Sequence, residues 1–401
     1  MRIGIIRETK APPDKRVPLT PCQCRQLMES YRDLEIVAES SPDRCFTDDE
    51  YVSAGIGISR NLSDCDVLMG IKEIQPEKLI PGKTYFFFSH TIKKQPQNRD
   101  MFREIIRKGI TLVDYETLTG KDGSRIIGFG RFAGLVGAYN GLRAYGIRHG
   151  LFSLKPAHHC AGLEELKRQI GSVSLPALKI AVTGGGRVAG GVTEITEFLG
   201  IKRISPEEYL SAENPEYPVY SQLNPGDYNL RKDLTPFDLR HFFSFPGEYT
   251  GNFKRFIPVT DLLIAAAYWD PEAPVLFGLE DISLPGFRIS VIADITCDLN
   301  GSVPTTRKIS THEEPFYDID RVTGNIRPPF SGKGNVTVMA VDNLPCALPM
   351  DSSDGFGNDL VKNVIPLLLG EDPDRILERA TIVRNGTLAA KYVYLKEYAG
   401  M

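Results

Sequence analysis

A glycine-rich stretch at residues 179–192, KIAVTGGGRVAGGV, places the tightest constraint on how this chain can fold. It has the pattern of a short apolar strand, a tight glycine turn and the first turn of a helix. The helix continues to Leu199 and ends at Gly200, and a second strand follows at 201–205. This order predicts a strand–helix–strand unit with a glycine-rich first turn.

The glycines of this turn meet the requirements of a dinucleotide. Gly184 allows a backbone turn with positive φ, and Gly186 leaves room for the backbone to approach a pyrophosphate. Gly190 or Gly191 allows the helix to pack closely on the strand. The helix N-terminus then offers free N–H groups and the positive end of its dipole to the phosphates. The stretch predicts a nucleotide site, and the alternative is a tight turn without a ligand.

The acidic residue that usually holds the ribose is replaced in this chain. In an NAD site it lies about 20 positions on, at the end of the second strand. Here Ser205 takes that place, and Lys202 and Arg203 precede it. A serine beside two cations would accommodate a 2′-phosphate, whereas Glu207 could still bind the ribose of NAD. The sequence therefore predicts NAD or NADP and leaves the choice open.

Size and composition are those of an ordinary globular protein. The 401 residues suggest two domains, and 42% hydrophobic with 24% charged residues is typical of soluble proteins. A net charge of −4 argues against a nucleic-acid binder. Seven scattered cysteines indicate reduced thiols, and the chain starts without an apolar signal segment. The longest apolar run, 262–269, is too short to span a membrane. We therefore expect a cytoplasmic protein.

The first third of the chain alternates between strands and helices. The pattern predicts strands at 2–6, 34–38, 65–71, 84–88 and 111–113. Thr20 with Pro21 is a good helix start, so one helix is expected from there to Ser30, and another at 97–108. This alternation predicts a parallel sheet with helices on its faces.

Ionisable residues follow the ends of several of these strands. They are Lys10, Arg16, Lys72, Glu73, His90 and Glu116. In parallel sheets, ligands bind at the carboxyl ends of the strands. Lys10 and Arg16 lie on a loop rich in cations, which suits a carboxylate-binding site. Each side chain taken alone could be solvated or structural, but successive strands that end in ionisable groups favour a functional site.

The rest of the chain continues the α/β pattern. Buried strands are predicted at 261–269, at 289–292 and, as the last of the chain, at 336–341. A long helix with many small residues begins at Arg131, and Ala267 with Tyr268 should lie near the dinucleotide. Residues 206–260 are irregular and form an insertion candidate, and a final helix is expected at about 356–369.

Several motifs resemble those of a known enzyme family. They are RETK at 7–10, RVPLTP at 16–21, GIKE at 70–73, FFSH at 87–90, FGRFAG at 129–134, IADIT at 292–296, VDNLPCALP at 341–349 and NGTL at 385–388. The first two resemble the amino-terminal signature shared by alanine dehydrogenase, the nucleotide-binding subunit of transhydrogenase and lysine-forming saccharopine dehydrogenase. The next three resemble saccharopine dehydrogenase. The last three are similar to the lysine–ketoglutarate reductase domain of aminoadipic semialdehyde synthase.

The resemblance implies a fold and a reaction. The fold is α/β, with two Rossmann-like domains that contain parallel sheets and surround a central cleft. The substrate-binding domain would comprise residues 1–133 and 345–401, and the dinucleotide-binding domain residues 134–344. The reaction is the reversible reductive condensation of L-lysine and 2-oxoglutarate to saccharopine with NAD(P)H. No nucleic-acid or membrane partner is expected, and the chain would be a monomer or a homodimer.

The resemblance also implies roles for the candidate residues. The candidate catalytic residues are Lys72 and His90, and the candidate substrate-binding residues are Lys10, Arg16, Glu73, Glu116 and Arg131. The candidate cofactor-binding residues are Gly184, Gly186, Arg187, Val188, Ser205, Ala267, Tyr268, Asp294, Asp342 and Leu344. Lys72 and His90 match the acid–base pair of the family, while Lys10 and Arg16 match groups that bind carboxylates. No metal site is expected.

The chemistry of such a reaction suits the acid–base pair. An amine must lose a proton and a carbinolamine must lose water, so groups that titrate near neutrality are needed. His90 can do this without a shift, whereas Lys72 would need its pKa lowered or would stabilise the carbonyl oxygen electrostatically.

Two other functions remain open at this stage. Another amino-acid dehydrogenase, with alanine dehydrogenase the nearest, would share the lysine, the histidine and the early arginine. A nucleotide-binding or sensor protein that catalyses no reaction would need only the glycine turn, and not the candidate catalytic residues. The reductase domain of the resembling family is normally fused to an oxidising domain, which is not expected within these 401 residues, and the physiological direction of the reaction stays open.

Overall fold

Strands and helices alternate along most of the chain. The structure, a computed structural model, describes residues 1–10, 14–212 and 215–401. The strands are β1 (Arg2–Ile5), β2 (Glu35–Glu39), β3 (Gly57–Ser59), β4 (Val67–Met69), β5 (Thr84–Phe87), β6 (Thr111–Asp114), β7 (Lys179–Thr183), β8 (Lys202–Arg203), β9 (Val219–Leu223), β10 (Asn229–Arg231), β11 (Tyr249–Gly251), β12 (Leu262–Ala265), β13 (Val291–Asp294), β14 (Phe316–Ile319), β15 (Ile326–Arg327), β16 (Val336–Met339), β17 (Thr381–Arg384) and β18 (Thr387–Leu388).

The helices separate these strands and confirm the predicted α/β class. They are α1 (Pro21–Ser30), α2 (Asp48–Ser53), α3 (Arg99–Arg107), α4 (Gly130–Arg148), α5 (Leu163–Gly171), α6 (Arg187–Phe198), α7 (Pro206–Ser211), α8 (Pro225–Tyr228), α9 (Leu239–Ser244), α10 (Pro349–Asn363), α11 (Ile365–Leu369), α12 (Ile376–Ala380) and α13 (Lys396–Ala399). Short 3₁₀ turns connect several of them.

The chain divides into two compact units. The first unit contains Met1–Phe129 and Pro349–Met401, and the second contains Gly130–Leu348. The domain limits expected from the sequence, 134 and 344, lie four residues inside the second unit at each end. The chain therefore leaves the first unit after β6 and returns to it with α10.

The sheet of the first unit has the strand order of a doubly wound fold. Strands β3-β2-β1-β4-β5-β6 are neighbours in that order and run parallel. Strand β17 then pairs antiparallel with β6, and β18 pairs antiparallel with β17. The prediction that the strand at 336–341 is the last one is therefore wrong, because the C-terminal segment adds two strands to the first sheet.

Both faces of this sheet are covered, so its central strands are apolar throughout. On β5, Tyr85 and Phe87 point to the side of Phe102 on α3, while Phe86 points to the side that holds Phe356 on α10. All five aromatic rings are at most 1% exposed. The run of aromatic residues in the sequence thus reflects a strand that is buried on both sides.

The returning segment packs against the start of the chain. Helix α1 begins with a capping box, in which the Thr20 hydroxyl accepts the Gln23 N–H and the Gln23 side chain accepts the Thr20 N–H. The Gln23 amide also donates to the Asp354 carbonyl and to the Asn358 side chain, both at 2.9 Å. A Cβ on Gly357 would lie 2.0 Å from the Gln23 side-chain oxygen, so a larger residue there would displace the Gln23 side chain from the capping box. Helices α1 and α10 therefore form one face of the first unit.

The sheet of the second unit differs from the predicted order at one important place. Strands β8-β9-β7-β12-β13-β16 run parallel in that order, and β14 and β15 add antiparallel at the far edge. The strand beside β7 is therefore β9, which lies inside the stretch 206–260 that the sequence analysis left without elements. Strand β8, which was expected to occupy that place, lies one position further out.

Close contact between α4 and α6 explains two of the glycines. A Cβ on Gly191 would lie 2.0 Å from the carbonyl oxygen of Arg131, and a Cβ on Gly134 would lie 2.0 Å from that of Val188. Gly190 has no neighbouring atom within 4 Å of such a Cβ. Gly191 is therefore the close-packing glycine, and its partner is α4 rather than the strand that the sequence suggested.

Across the described ranges 1–10, 14–212 and 215–401, the structure contains no helix with the length and apolar character needed to cross a membrane.

Candidate functional site

The loops after β4 and β5 bring a lysine, a glutamate and a histidine to one edge of the first sheet. The pairing of the two strands continues past their ends, where the Phe88 N–H donates to the Ile71 carbonyl at 3.0 Å. Lys72 and Glu73 follow Ile71 directly, and His90 lies two residues after Phe88. Parallel pairing alone therefore places these three side chains close together.

Glu73 connects His90 to Lys10. Nδ1 of His90 lies 2.6 Å from one carboxylate oxygen of Glu73, and Nζ of Lys10 lies 3.3 Å from the other. Burial would raise the pKa of Glu73, but the hydrogen bond from His90 and the nearby positive charges lower it to about 2. Glu73 is thus a carboxylate at neutral pH. It fixes Nδ1 of His90 as an N–H donor and leaves Nε2 as the ring atom that can exchange protons.

The backbone of His90 is held in an unusual conformation. Its φ of 51° and ψ of 17° lie in the left-handed region, which few non-glycine residues adopt. Next to it, the Ser89 N–H and hydroxyl both bond to one carboxylate oxygen of Asp114, and the hydroxyls of Ser89 and Thr91 lie 2.8 Å apart. Burial raises the pKa of Asp114 to about 6. This buried network holds the turn that presents the imidazole.

Lys72 lies in an environment that makes its ammonium group more acidic than that of an exposed lysine. Burial, together with the positive charges of Arg16 and Lys10, lowers the pKa of Lys72 below its ordinary value. Its backbone is fixed by Glu8, whose two carboxyl oxygens accept the N–H groups of Ile71 at 2.6 Å and of Lys72 at 2.9 Å. Burial raises the pKa of Glu8 to about 8. The backbone of Lys72 is therefore fixed by Glu8, and the pKa of its side chain is lowered by its surroundings.

Arg16 is buried and engaged by a neighbouring carboxylate. Its guanidinium donates to Asp14 through Nε at 3.0 Å and through Nη2 at 2.6 Å, and it lies 4.0 Å above the ring of Phe129. Both charged side chains are at most 3% exposed. The structure thus places Arg16 beside Lys72, as a charge that lowers the pKa of the lysine, while part of its donor fork is occupied by Asp14.

Glu116 adds an acidic group that is 4% exposed. One of its carboxylate oxygens lies 3.2 Å from Nζ of Lys93 and 2.6 Å from Nη2 of Arg125. Burial would raise the pKa of Glu116, but these two cations lower it. Within the described residues, its second oxygen, Oε2, is buried without a hydrogen-bond partner. That oxygen is a free acceptor for a donor group.

Most residues that organise this site are not among the candidates predicted from the sequence. They are Glu8, Asp14, Lys93, Asn98, Asp114 and Arg125. Glu8 lies in the same RETK motif as Lys10, so its position was a usable signal. Asn98 donates to Glu73 from a turn in a different part of the chain, and no local pattern predicts that contact.

In the second unit, the glycine turn after β7 has a positive φ at Gly184 and open space at Gly186. Gly184 has φ of 99°, as predicted, and a Cβ there would lie 2.9 Å from the backbone of Ala267. Gly186 precedes α6 without a side-chain cap, and a Cβ there would meet no atom within 4 Å. Helix α6 thus begins at Arg187 without a side-chain cap from Gly186, and there is open space beside Gly186.

Strand β9 supplies two contacts to this turn that the sequence analysis missed. The Gln222 side chain donates to the Gly184 carbonyl at 3.0 Å. The side-chain oxygen of Asn224 lies 2.7 Å from where a Cβ on Gly185 would be. Ser205, by contrast, follows the outer strand β8 and caps α7 by accepting the Glu208 N–H. The premise that Ser205 ends the strand beside β7 is therefore wrong, and the residues at that place are Leu223 and Asn224.

The other cofactor candidates lie at the same carboxyl edge of the second sheet but differ in exposure. Asp294 ends β13 fully buried, accepts hydrogen bonds from Thr296 and Thr306, and has its pKa raised by burial. Tyr268 is 77% exposed after β12. Asp342, after β16, is exposed, whereas Leu344 is buried. Tyr268 and Asp342 are therefore the accessible members of this set.

Arg131 has a different environment from the other substrate-binding candidates. It belongs to α4 in the second unit, and its guanidinium forms two 2.8 Å hydrogen bonds to the carboxylate of Glu194 on α6. Lys167 contacts the same carboxylate at 3.1 Å. In this structure Arg131 joins α4 to α6, and a role in substrate binding stays a prediction.

Two family models match the chain in succession. The alanine dehydrogenase/PNT N-terminal domain matches residues 4–136, and the alanine dehydrogenase/PNT C-terminal domain matches residues 240–394. Together these ranges cover more than half of the 401 residues. The chain belongs to the alanine dehydrogenase/PNT family. Its fold is similar to that of a solved L-alanine dehydrogenase structure, with a TM-score of 0.67. The two chains are 19% identical, and the match covers 99% of each.

Two curated relatives show which part of the alanine dehydrogenase/PNT family this chain resembles. It is 29% identical to alpha-aminoadipic semialdehyde synthase from Arabidopsis thaliana over 98% of its own length, but it spans only 41% of that protein. It is 25% identical to the saccharopine dehydrogenase (NAD(+), L-lysine-forming) of Emericella nidulans, over 91% of this chain and 92% of that protein. The resemblance stated from the motifs is therefore confirmed. These similarities support an oxidoreductase that acts on an amino acid.

Proposed function

We propose that this chain is a nicotinamide-dependent dehydrogenase that joins L-lysine and 2-oxoglutarate reductively to saccharopine, and also catalyses the reverse reaction. The observation that carries the proposal is the His90–Glu73 pair beside a buried lysine with a lowered pKa. The similarity to the saccharopine dehydrogenase (NAD(+), L-lysine-forming) of Emericella nidulans supports the choice of substrates.

The reaction needs proton transfers that the site can supply. The amine of lysine attacks the keto carbon, the resulting carbinolamine loses water, and the imine accepts a hydride. Nε2 of His90 can take a proton from the attacking amine, because Nδ1 is held by Glu73. Lys72, with its lowered pKa, can then return a proton to the oxygen that leaves as water.

The charges of the site fit the two substrates. Lys10 and Arg16 are cations that can bind the carboxylates of 2-oxoglutarate, and Lys10 is 47% exposed at its side chain. The buried Oε2 of Glu116 can accept an N–H from the amine substrate. An oxo acid and an amine therefore each find complementary groups in the first unit.

The second unit can hold the cofactor. The uncapped start of α6 and the open face at Gly186 fit the pyrophosphate of NAD or NADP. When bound, the nicotinamide supplies the hydride. Since β9 rather than β8 lies beside β7, the side chains that would contact the ribose are those after Leu223, and Asn224 is the first of them.

A spectrophotometric assay tests this function. Protein is mixed with L-lysine, 2-oxoglutarate and NADH or NADPH, and absorbance is followed at about 340 nm, the band of reduced nicotinamide. Decay that requires both substrates is the expected result. Lys72→Met and His90→Gln should each reduce kcat by roughly 10²–10⁴-fold while nucleotide binding, measured by fluorescence, is retained.

Two results would contradict the proposal. Turnover with pyruvate and ammonia but not with lysine would indicate that the chain is an alanine dehydrogenase. Nucleotide binding without turnover in any mixture, in a protein that is folded by circular dichroism, would indicate a sensor or binding protein.

A further inference from the structure

An open pocket lies at the edge of the first sheet that is formed by the C-terminal strands β17 and β18. The reaction proposed above uses none of its lining residues. The pocket has a volume of about 940 Å³ and lies beside β17, α12 and the turn that contains Lys121. We call it the basic pocket, after the five cations that line it: Lys121, Arg375, Arg379, Arg384 and Lys391. Its volume is that of sites for small metabolites.

The basic pocket carries an excess of positive charge in a protein whose net charge is −4. Its acidic lining residues are Asp374 and Glu378, against five cations. Lys121 pairs with Asp374 at 2.8 Å, and Arg375 lies 3.6 Å from Glu378. Both acids are thus already matched by a cation.

One of the remaining cations has a structural task. The Arg379 guanidinium donates to the carbonyl of Asp374 and, at 2.8 Å, to the carbonyl of Thr119. The Tyr392 hydroxyl in turn donates to the Arg379 carbonyl at 2.7 Å, and Tyr392 is 2% exposed. These contacts give the pocket a fixed wall rather than a mobile surface.

Arg384 and Lys391 are the two lining cations that take part in none of these contacts. Within the residues that the structure describes, neither has a carboxylate partner within 4.0 Å. Both are exposed, and Nζ of Lys391 lies 5.5 Å from the centre of the Tyr392 ring at the pocket wall. A pocket of this size with two unmatched cations and a rigid wall favours an anionic ligand.

We propose that the basic pocket binds a small polyanion, a metabolite with several phosphate or carboxylate groups, at a site separate from the candidate active site. Arg384 and Lys391 provide the free charges, and the guanidinium of Arg384 can bind a phosphate or carboxylate with two parallel hydrogen bonds. None of the lining residues is among the candidate catalytic or substrate-binding residues.

The pocket is linked to the candidate active site through one short loop. Thr119 and Arg125 face each other across the ends of this loop in an isolated β-bridge. At its start, Lys121 and the Thr119 carbonyl are held by Asp374 and Arg379, and at its end Arg125 pairs with Glu116. A ligand that competes for Lys121 would therefore act on the segment that holds Glu116.

Isothermal titration of the full chain with pyrophosphate, and separately with citrate, tests the proposal without any turnover. We expect one of the two polyanions or both to bind, with affinity that falls as salt rises from about 0.05 to 0.3 M. The double variant R384Q/K391Q should weaken this binding by about 10-fold or more, because it removes two charge-assisted contacts. The matched control is Lys362→Gln on α10, an exposed cation outside the pocket.

The outcomes separate this site from the substrate site. Binding that is lost in R384Q/K391Q but kept in K362Q supports the proposal, and a preference for pyrophosphate or citrate identifies the anionic group. Binding with equal affinity in R384Q/K391Q and the unaltered chain would overturn it, since the anion would then lie elsewhere. The absence of any binding at millimolar polyanion would overturn it as well. Because the readout is heat of binding, neither result depends on whether the chain makes saccharopine.

Discussion

The carboxylate of Glu73 does two things at once, since it orients His90 and it compensates the charge of Lys10. Its pKa of about 2 lies well below the ordinary value of 4.5. A depressed pKa means that the folded state prefers the ionised form. Its stabilisation is therefore complete above about pH 4.5 and is lost as the pH falls towards 2.

Glu73→Gln should therefore cost stability near neutrality and less in acid. We expect a loss of about 3 kcal/mol in the free energy of unfolding at pH 7, the equivalent of the pKa shift, and a smaller difference at pH 3. Urea unfolding of both proteins at the two pH values measures this. A difference that does not shrink on acidification would show that the ion pairs of Glu73 contribute little.

Glu8 is the residue that fixes the backbone of the candidate catalytic lysine. Glu8→Ala leaves two partly buried N–H groups, those of Ile71 and Lys72, without acceptors. We expect a loss of about 2 kcal/mol in stability and a kcat lowered about 10-fold with little change in nucleotide affinity. The control is Thr9→Ala, whose hydroxyl accepts the N–H of Gln75 at an exposed site and should matter little. Equal effects of the two variants would argue against a positioning role.

How much of the site the sequence predicts depends on how local the interactions are. Lys72, Glu73 and His90 were predictable, because residues that follow parallel strands must meet at one edge. The contacts of Asn98 and Arg125 were not, since they come from turns whose direction is set by tertiary packing. Arg131 shows a related limit, because its place in a motif does not reveal that its guanidinium contacts Glu194 on α6.

At the scale of elements, the contact between α4 and α6 is the most sensitive to substitution. Gly191→Ala would place a methyl group 2.0 Å from a backbone carbonyl, so α6 must move, and we expect a loss of about 2–4 kcal/mol in stability. Gly190→Ala, one residue earlier on the same helix, meets no atom within 4 Å and should stabilise the helix by up to about 1 kcal/mol. Thermal unfolding of the two variants measures the contrast, and equal midpoints would mean that the helices do not touch as closely as described.

The elements also show why the strand order was only partly predictable. The glycine turn, β7, α6, β12, β13 and β16 follow from local apolar patterns. Strand β9 was missed because 201–205 has the same apolar pattern and comes first along the chain, so it seemed to complete the unit. Strand β17 was missed because its partner, β6, is more than 260 residues away in sequence, and no local signal reports such a pairing. Strand β18 pairs with β17 and was missed with it.

At the scale of the whole molecule, the first unit depends on the C-terminal segment. Removal of residues 349–401 deletes α10 and β17, which cover Phe86 and pair with β6. We expect the truncated chain to lose the cooperative unfolding of the first unit while the continuous second unit, Gly130–Leu348, keeps slow amide exchange. Hydrogen exchange resolved by peptide measures both parts. Protected amides in β1 and β5 of the truncated chain would contradict this expectation.

The interrupted first unit has a consequence for synthesis on the ribosome. Domains usually fold in order from the N-terminus as the chain emerges, at about 5–20 residues per second. Here residues 1–129 emerge first but must wait for 219 further residues, Gly130–Leu348, before α10 and β17 exist. The second unit can therefore finish before the first, and the apolar face around Phe86 remains open for roughly 10–40 s. During that interval the nascent chain is a natural client for chaperones that shield exposed apolar sheets.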